Sequence, residues 1–258
     1  MKAAVITGAS SGLGKEYVLE INRKEHDIDE IWAIARRQDR LKELKERSRI
    51  PVRCFPLDLT DPQNLQVIKQ ELERLHPVVS ILINAAGFGK IGDYTSVGIE
   101  ESRRMIDLNC KAAVDLTYLC LPYMKRGSRI MQICSTAAFQ PFQHLNIYAA
   151  SKAFLYRFSR ALRVELFPRG IKVTAVCPYW IRDTEFIPVA STTEGEKKSI
   201  RHFPLASKTS SVVRISYFTS RLGFPVSTPG IMCTVHWIAG KILPSDLLMA
   251  IWAILRRI

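Results

Sequence analysis

Tyr148 and Lys152 are the two side chains of this sequence whose joint chemistry is easiest to anticipate. They stand four residues apart in the run Tyr-Ala-Ala-Ser-Lys, so on a helix they share one face and lie within reach of each other. An unperturbed tyrosine has a pKa of about 10, too high for ready proton exchange at neutral pH. A neighbouring ammonium group favours the phenolate and lowers that pKa. The spacing therefore predicts an acid–base pair, although it also occurs by chance in many helices.

A glycine-rich segment at residues 7–14, Thr-Gly-Ala-Ser-Ser-Gly-Leu-Gly, is the second motif. It follows an apolar run typical of a strand and precedes a helical pattern. Glycines in that context allow a tight turn and let a pyrophosphate approach the N–H groups at the helix N-terminus. We therefore predict a nucleotide-binding loop. Its predicted contact residues are Gly8, Ser10, Ser11, Gly12, Leu13 and Gly14.

Arg36 and Arg37 follow the second predicted strand, where an acidic residue would hydrogen-bond the ribose hydroxyls of NAD. Guanidinium groups at this point suit the 2′-phosphate of NADP, because they form charge-assisted, bidentate hydrogen bonds with phosphates. We therefore predict NADP(H) as the cofactor. The alternative is a solvated basic start of a helix, since Arg40 and further lysines continue the basic run.

Short β-rich apolar runs alternate with longer segments of helical periodicity. The runs are residues 3–6, 31–35, 52–55, 81–83, 130–133 and 172–176. Helical segments such as 63–75 and 146–167 carry apolar residues every three or four positions. This alternation predicts an α/β fold with a parallel sheet covered by helices on both faces.

Taken together, the glycine loop and the Tyr148–Lys152 pair resemble the short-chain dehydrogenase/reductase family, in its group of single-domain members. The resemblance covers about the first 185 residues. It implies a Rossmann-like three-layer α/β/α sandwich with a mainly parallel, seven-stranded sheet. Two long helices, at about 101–125 and 146–167, correspond to those through which relatives form homodimers or homotetramers.

Other family motifs occur in the expected order. Asp58, followed by Leu59, matches the acidic residue that in the family contacts the adenine. The run Asn-Ala-Ala-Gly matches the signature after the fourth strand and adds Asn84, Ala85, Ala86 and Gly87 to the predicted cofactor site.

The resemblance also implies a catalytic set of four residues: Asn109, Ser135, Tyr148 and Lys152. By this resemblance, Tyr148 exchanges the proton and Ser135 hydrogen-bonds the substrate oxygen. Lys152 adjusts the pKa of Tyr148 and binds the nicotinamide ribose. Asn109 holds a water that links the lysine to solvent. Both Tyr148 and Lys152 therefore also belong to the predicted cofactor site.

The sequence departs from the family pattern after the sixth strand. The family has Pro-Gly there, whereas this chain has Pro178 followed by Tyr179. Thr184 also comes one residue later than the corresponding family threonine. Pro178, Ile181 and Thr184 are predicted to contact the nicotinamide end, along a loop whose path the pattern does not define.

The substrate end is predicted to be aromatic and apolar, which suits a lipophilic substrate better than a sugar. Its expected lining is Phe139, Phe142, His144, Tyr179, Trp180, Phe186 and Ile187. Residues at about 184–229 are interpreted as a substrate-side lid. An apolar tail at about 231–258 is unusual for the family. It could cover the substrate cleft, pack against another subunit or, as the less favoured alternative, rest on a membrane surface.

Composition sets the remaining limits. The 258 residues suit one domain, 1–258. The excess of 37 Lys and Arg over 24 Asp and Glu gives a net charge of +13 and attracts anions. The six cysteines have no metal-ligand spacing and are expected to be reduced, as in a cytoplasmic protein. No nucleic-acid-binding motif or metal site is expected.

These observations predict an NADP-dependent oxidoreductase that transfers hydride between the cofactor and a carbonyl or secondary alcohol. A lipophilic substrate of the hydroxysteroid or 3-oxoacyl type is the expected class. Two alternatives stay open: a reductase of small or polar carbonyls, and a non-catalytic NADP-binding sensor. The sensor is disfavoured because it would not need all four catalytic side chains.

Overall fold

The fold is taken from a computed structural model, which describes residues 1–193, 200 and 205–255. Seven parallel strands form one sheet in the order β3-β2-β1-β4-β5-β6-β7. The strands are β1 (Lys2–Thr7), β2 (Glu30–Ile34), β3 (Val52–Phe55), β4 (Val78–Asn84), β5 (Arg129–Ile133), β6 (Lys172–Val176) and β7 (Val226–Ser227). The predicted Rossmann-like sandwich with a seven-stranded parallel sheet is therefore confirmed.

Helices cover both faces of the sheet. They are α1 (Gly12–Lys24), α2 (Gln38–Glu46), α3 (Pro62–Leu75), α4 (Tyr94–Ile106), α5 (Ala112–Cys120), α6 (Asn146–Leu166), α7 (Phe186–Ala190), α8 (Thr209–Leu222), α9 (Ile231–Ile242) and α10 (Ser245–Leu255). Two buried apolar clusters, one on each face, fill the space between sheet and helices. Among the described residues, no helix has the length and apolar character needed to cross a bilayer.

Local signals explain where the best-defined helices begin and end. In α3, the Asp61 side chain accepts a hydrogen bond from the Gln63 N–H at 2.8 Å, and Pro62 occupies the first helical position. Both features favour a helix start. His76 ends the helix in the left-handed conformation. The sheet order reverses between β1 and β4, which opens a crevice at the carboxyl ends of the strands.

The helix predicted at about 101–125 is not continuous. Helix α4 begins at Tyr94, is broken at Gly98, whose φ is +69°, and is followed by a π-helical turn, Asp107–Lys111, before α5. A π turn inserts an extra residue into the helical ladder, and such turns are frequent at functional sites. The turn here carries Asn109.

The segment 184–229, interpreted as a lid, is divided between two parts of the fold. Its first part, including α7, lies beside the crevice. Helix α8 instead packs against α1 on the sheet, with the Tyr17 and Ser216 hydroxyls 2.5 Å apart. Strand β7 pairs with β6. The lid interpretation is therefore wrong for α8 and β7, because these elements complete the sheet and its helical layer.

Candidate active site

A cavity of about 740 Å³ lies along the carboxyl ends of the strands. It runs from the glycine loop, past Tyr148, to the C-terminal helices α9 and α10. Most of the predicted cofactor residues line it. These are Gly8, Ser10, Ser11, Gly12, Leu13, Gly14, Arg36, Arg37, Asp58, Leu59, Ala85, Ala86, Gly87, Tyr148, Lys152, Pro178, Ile181 and Thr184.

The glycine loop presents the N-terminus of α1 to this cavity. Ser11, the residue before the helix, forms no side-chain cap, and the first turn contains no acidic residue. A Cβ atom on Gly14 would lie 2.2 Å from the Gly8 carbonyl oxygen, so only glycine fits there. The helix N-terminus thus offers uncapped N–H groups and a partial positive charge to an anion in the cavity. These features fit the pyrophosphate of a dinucleotide.

Arg36 and Arg37 lie at the cavity's adenosine end, and each already has an acidic partner. Arg36 Nη1 is 3.7 Å from Asp58 Oδ2. Arg37 Nη1 donates to Glu185 Oε2 at 2.8 Å, while Arg40 Nη1 donates to Glu185 Oε1 at 2.6 Å. These three ion pairs are partly exposed, so none is expected to contribute much to stability. Glu185, which the sequence analysis did not single out, therefore connects the loop after β6 to α2.

Asp58 is held in place by its own loop. Thr60 donates to Asp58 Oδ1 from its backbone N–H at 3.0 Å and from its hydroxyl at 2.8 Å. Partial burial would raise the pKa of Asp58, but these hydrogen bonds and the nearby Arg36 charge outweigh it and lower the pKa. Asp58 is therefore an oriented, ionised acceptor on the cavity wall.

Tyr148 and Lys152 share one face of α6, as predicted, and both are buried. Lys152 Nζ donates to the Ile133 carbonyl oxygen at 2.8 Å and lies 5.8 Å from the centre of the Tyr148 ring. Ser135 lies close enough to the Tyr148 phenol to lower its pKa. The Ser135 oxygen also accepts a bond from the Ala137 N–H at 3.1 Å, which fixes its position. Three predicted catalytic side chains therefore meet at one point of the cavity.

The expected lowering of the tyrosine pKa is wrong for this structure. Burial raises the pKa of Tyr148 to about 12, and the hydrogen bond with Ser135 offsets only part of that effect. Burial also lowers the pKa of Lys152. Both shifts have the same cause, since a low-dielectric environment disfavours the charged form of each group. Tyr148 is therefore a protonated donor at neutral pH.

Asn109 lies behind the cavity wall. Its Oδ1 accepts from the Phe88 N–H at 3.0 Å, and its Nδ2 donates to the Phe88 carbonyl at 2.9 Å and to Ser151 Oγ at 3.0 Å. A Cβ on Gly87 would lie 2.8 Å from Asn109 Oδ1 and 3.2 Å from Lys152 Nζ. The π turn thus places Asn109 next to Lys152, with the chain at Gly87 between Asn109 and the cavity.

Asn84 is predicted to bind the cofactor, but its side chain points away from the described cavity wall. Asn84 Nδ2 donates to Gln132 Oε1 and to Thr117 Oγ1, each at 3.0 Å. Thr117 lies on α5, so this buried polar group connects β4 and β5 to the helix covering them. The Asn84 side chain faces the α5 side of the sheet because alternate side chains of a strand face opposite sides.

The loop after β6 packs over the glycine loop. The Pro178 carbonyl accepts from the Thr136 N–H at 3.0 Å, and Thr184 Oγ1 donates to the Ile181 carbonyl at 3.3 Å. A Cβ on Gly12 would come within 3.6 Å of the Thr184 methyl group. The three residues predicted for the nicotinamide end therefore lie on the cavity wall, despite the Tyr179 substitution.

The substrate end is aromatic, as predicted, but some of the residues that line it differ from the predicted ones. Phe142, Tyr179, Trp180 and Phe186 line the described cavity, whereas Phe139, His144 and Ile187 do not. The missing part of the wall comes from the C-terminal helices, whose lining residues are Met232, Val235, His236, Ala239, Leu243, Leu248, Ile251, Trp252 and Leu255. The apolar tail therefore covers the cleft, one of the alternatives that its sequence left open.

Two negative findings concern other chemistries. Within the described part of the chain, no group of three or more His, Cys, Asp or Glu residues is placed to hold a metal ion. All six cysteines are free thiols, and burial raises the pKa of several of them, including Cys110 and Cys177 beside Lys152.

Comparison with known proteins agrees with this geometry. The family model described as short chain dehydrogenase matches residues 2–195. Mouse 17-beta-hydroxysteroid dehydrogenase type 3 is 35% identical over 188 residues, which are 69% of this chain and 59% of the mouse protein.

Two solved structures share nearly the whole fold. A short-chain dehydrogenase from Sphingobium yanoikuyae, in complex with NADPH, has a TM-score of 0.80 and 29% identity, covering 96% of this chain and 95% of that one. The bulky-bulky ketone specific alcohol dehydrogenase from Comamonas testosteroni has a TM-score of 0.75 and 25% identity, covering 96% and 94%. With the matched family model, the glycine loop and the buried tyrosine–lysine pair, the chain belongs to the short-chain dehydrogenase/reductase family and is an oxidoreductase of that family.

Proposed function

We propose that this chain is an NADP(H)-dependent oxidoreductase that interconverts a carbonyl group and a secondary alcohol on a lipophilic substrate. The observation that carries the proposal is the position of Tyr148, Ser135 and Lys152 in one continuous cavity. On one side of them lies the phosphate-binding end of α1. On the other lies an aromatic chamber. A dinucleotide and an apolar substrate can therefore meet at the tyrosine.

The residues divide the chemistry between them. A bound nicotinamide cofactor supplies or accepts the hydride. In reduction, Tyr148 donates its proton to the substrate oxygen, which its raised pKa allows because the phenol stays protonated at neutral pH. Ser135 donates a hydrogen bond to the negative charge that develops on the same oxygen. The Lys152 ammonium stabilises the phenolate that proton transfer leaves behind.

Two features support NADP(H) over NAD(H). Arg36 and Arg37 follow β2 at the adenosine end of the cavity, where a guanidinium can bind a 2′-phosphate. The Sphingobium relative, similar over almost its whole length, was solved with NADPH. Glu185 partly neutralises Arg37, so the phosphate has to compete with a carboxylate for that side chain.

The chamber supports a lipophilic substrate. Phe142, Trp180, Phe186 and Trp252 contribute large aromatic faces, and the C-terminal helices close the end with aliphatic side chains. A chamber of this kind binds by burial of apolar surface. The Comamonas structure is named for bulky ketones and the mouse relative for a hydroxysteroid, which agrees with the same substrate class.

Cofactor titration followed by a substrate panel tests the proposal. We expect NADPH to bind more tightly than NADH when binding is followed by fluorescence. The double variant Arg36→Asp and Arg37→Ala should reverse or remove that preference, whereas Arg47→Ala, at the far end of α2, should leave it unchanged. If the double variant keeps the preference for NADPH over NADH, these arginines do not bind the 2′-phosphate.

The panel contains ketosteroids, long-chain 3-oxoacyl thioesters and small polar ketones, each assayed by NADPH consumption. Turnover confined to one lipophilic class is the expected result. Turnover of small polar ketones alone would contradict the substrate class. Tight NADPH binding without turnover of any compound would favour a sensor over an enzyme.

A further inference from the structure

Two polar side chains, Gln140 and His236, face each other within the aromatic end of the cavity. Gln140 follows the 3₁₀ turn Thr136–Phe139, which begins next to Ser135, and His236 lies in the middle of α9. Both residues line the cavity. His236 Nε2 is 2.8 Å from Gln140 Oε1. The pair is made from residues 96 positions apart, so it exists only because the C-terminal helices close over the site.

Apolar rings surround the histidine of this pair, while Gln140 Nε2 donates to the Leu248 carbonyl oxygen at 3.4 Å. The Phe139 and Phe142 rings meet the His236 ring nearly edge to face, with centroids 5.9 and 5.7 Å away. Trp252 packs on Phe142 at 4.9 Å. An apolar side chain at position 236 would complete such a wall without the desolvation cost that buried polar groups carry. A histidine here therefore contributes something other than apolar packing.

The hydrogen-bond chemistry defines what the pair offers to a ligand. Gln140 Oε1 is a carbonyl oxygen and can only accept, so His236 Nε2 carries the proton. Burial lowers the pKa of His236 to about 4, which keeps the imidazole neutral at physiological pH. A neutral imidazole protonated at Nε2 has a lone pair at Nδ1, and that atom accepts hydrogen bonds. A ligand hydroxyl group is a suitable donor to it.

We propose that the Gln140–His236 pair is a specificity-determining subsite that binds a hydroxyl group on the substrate, remote from the reacting carbonyl. The substrate class becomes a lipophilic hydroxyketone, or the corresponding diol in the oxidative direction. Tyr148 and Ser135 hold the reacting oxygen, while His236 holds the second oxygen and fixes the substrate's orientation. This inference rests on the proposed function and makes its substrate more specific.

A series of straight-chain methyl ketones, each with and without a terminal hydroxyl group, probes the subsite at several distances from Tyr148. Binding to the protein loaded with NADP⁺ can be followed by tryptophan fluorescence, since Trp180 and Trp252 line the cavity. At the chain lengths that reach His236, we expect the hydroxylated ketone to bind roughly 10-fold more tightly than its parent. An unpartnered hydroxyl would instead weaken binding, because it loses its hydration.

Variants separate the hydrogen bond from the packing. His236→Phe keeps an aromatic ring in the wall and should bring the affinity ratio to one or below. His236→Asn keeps an acceptor and should retain part of the preference. Gln140→Leu removes the carbonyl oxygen that orients the imidazole. It should therefore also reduce the ratio of the two affinities. Met232→Leu, on the same helix and in the same wall, should leave the ratio unchanged.

If the hydroxylated ketone and its parent bind the unchanged protein equally well at every chain length, the inference is overturned. It is also overturned if His236→Phe keeps the same affinity ratio as the unchanged protein. Turnover distinguishes this failure from that of the proposed function. If the ketones are reduced with no preference for the hydroxyl, the enzyme proposal stands and the subsite is refuted. If the preference exists without NADPH consumption, the subsite stands and the enzyme proposal fails.

Discussion

Tyr148 is the residue on which the proposed proton transfer depends. It is almost fully buried, at 8% exposure, and burial raises its pKa to about 12. Phe186 packs on its ring at 5.3 Å, and the chain at Gly89 passes so close that a Cβ there would lie 2.8 Å from Tyr148 Cδ2. The ring is therefore held in place by packing on both sides, and its hydroxyl is the group available for the proposed proton transfer.

Replacing Tyr148 with Phe removes that hydroxyl and leaves the ring packing intact. We expect turnover to fall by roughly 10²- to 10⁴-fold, which is the usual contribution of a positioned general acid. The dissociation constant of NADPH should change little, because the substitution removes no phosphate contact. Tyr156→Phe, on the same helix and outside the described cavity wall, is the matched control. A comparable loss of cofactor affinity in Tyr148→Phe would mean that the tyrosine is a binding residue.

His236 also makes the stability of the fold depend on pH. Its pKa is lowered to about 4 in the folded chain, from about 6.5 when unperturbed. Between these values the unfolded chain binds the extra proton, so the free energy of unfolding falls as the pH decreases from about 6.5 to about 4. The imidazole is partly exposed, so we expect a loss on the order of 1–2 kcal/mol.

Urea denaturation of the unchanged protein and of His236→Phe, measured across this pH range, checks the expectation. The difference in unfolding free energy between the two proteins should shift in favour of the variant as the pH falls. A difference that stays constant from pH 7 to pH 4 would show that His236 is readily protonated in the folded state.

Among the elements, the loop after β6 has a direct connection to the adenosine end of the site. Its Glu185 carboxylate accepts hydrogen bonds from both Arg37 and Arg40, and these bonds join the loop to α2. They lower the pKa of Glu185, so the carboxylate is ionised at neutral pH. Arg37 is therefore shared between a carboxylate of the protein and the 2′-phosphate proposed to bind there.

Neutralising Glu185 should therefore favour NADP(H). In Glu185→Gln we expect NADPH to bind a few-fold more tightly, since a negative charge close to the phosphate is removed and the pairs involved are partly exposed. NADH, which lacks the phosphate, should bind with unchanged affinity. Parallel titrations of both cofactors at low and moderate salt measure the effect. Weaker NADPH binding would mean that Glu185 positions Arg37 for the phosphate instead of competing with it.

Elements with local signals could be predicted from the sequence, whereas others depended on tertiary contacts. The glycine loop and the helix bearing Tyr148 have fixed spacings, so their chemistry follows from a few adjacent residues. Helix α8 was interpreted as part of a lid because the segment around it contains a charged stretch and Pro204, Pro225 and Pro229, which loosen the pattern. Within α8 itself, Ser216 and Ser220 are buried and bond to the helix backbone, as Ser216 does to the Val212 carbonyl at 2.7 Å, so polar residues interrupt the apolar periodicity of the buried face.

Some contacts between distant segments could not be predicted from the sequence. The facing direction of Asn84 depends on which side of the sheet α5 covers, and the pattern of a fully buried strand does not reveal it. The Gln140–His236 pair requires α9 to fold back across the chamber. Apolar spacing in the tail predicted burial against something, but not which of its side chains would line a cavity.

On the scale of the whole molecule, an exposed aromatic strip runs along the outer faces of α5 and α6. Tyr118 is 56% exposed and Phe154 is 49% exposed. Phe158 lies between them, stacked with Phe154 and tilted against Tyr118. These helices carry the segments through which the sequence analysis expects a homodimer or homotetramer. Aromatic side chains are enriched at protein interfaces, so we propose that a second copy of the chain packs here.

A second apolar surface competes with the strip as the interface between copies. The outer faces of α9 and α10 expose Ile231, Ile242 and Ile254, with exposures of 83%, 72% and 63%. Their inner faces already cover the substrate cavity. Assembly through these helices would place the partner over the substrate end, whereas assembly through α5 and α6 would not. The two arrangements therefore differ in which charged substitution should change the oligomeric state.

Light scattering after size-exclusion chromatography distinguishes the two surfaces. We expect the unchanged chain to elute as a dimer or tetramer, and Phe154→Glu to yield a smaller species, because a carboxylate buried in an apolar interface is strongly unfavourable. Ile254→Glu should leave the oligomeric state unchanged. The opposite result, dissociation by Ile254→Glu alone, would place the interface on the C-terminal helices and make the neighbouring copy part of the wall around the substrate.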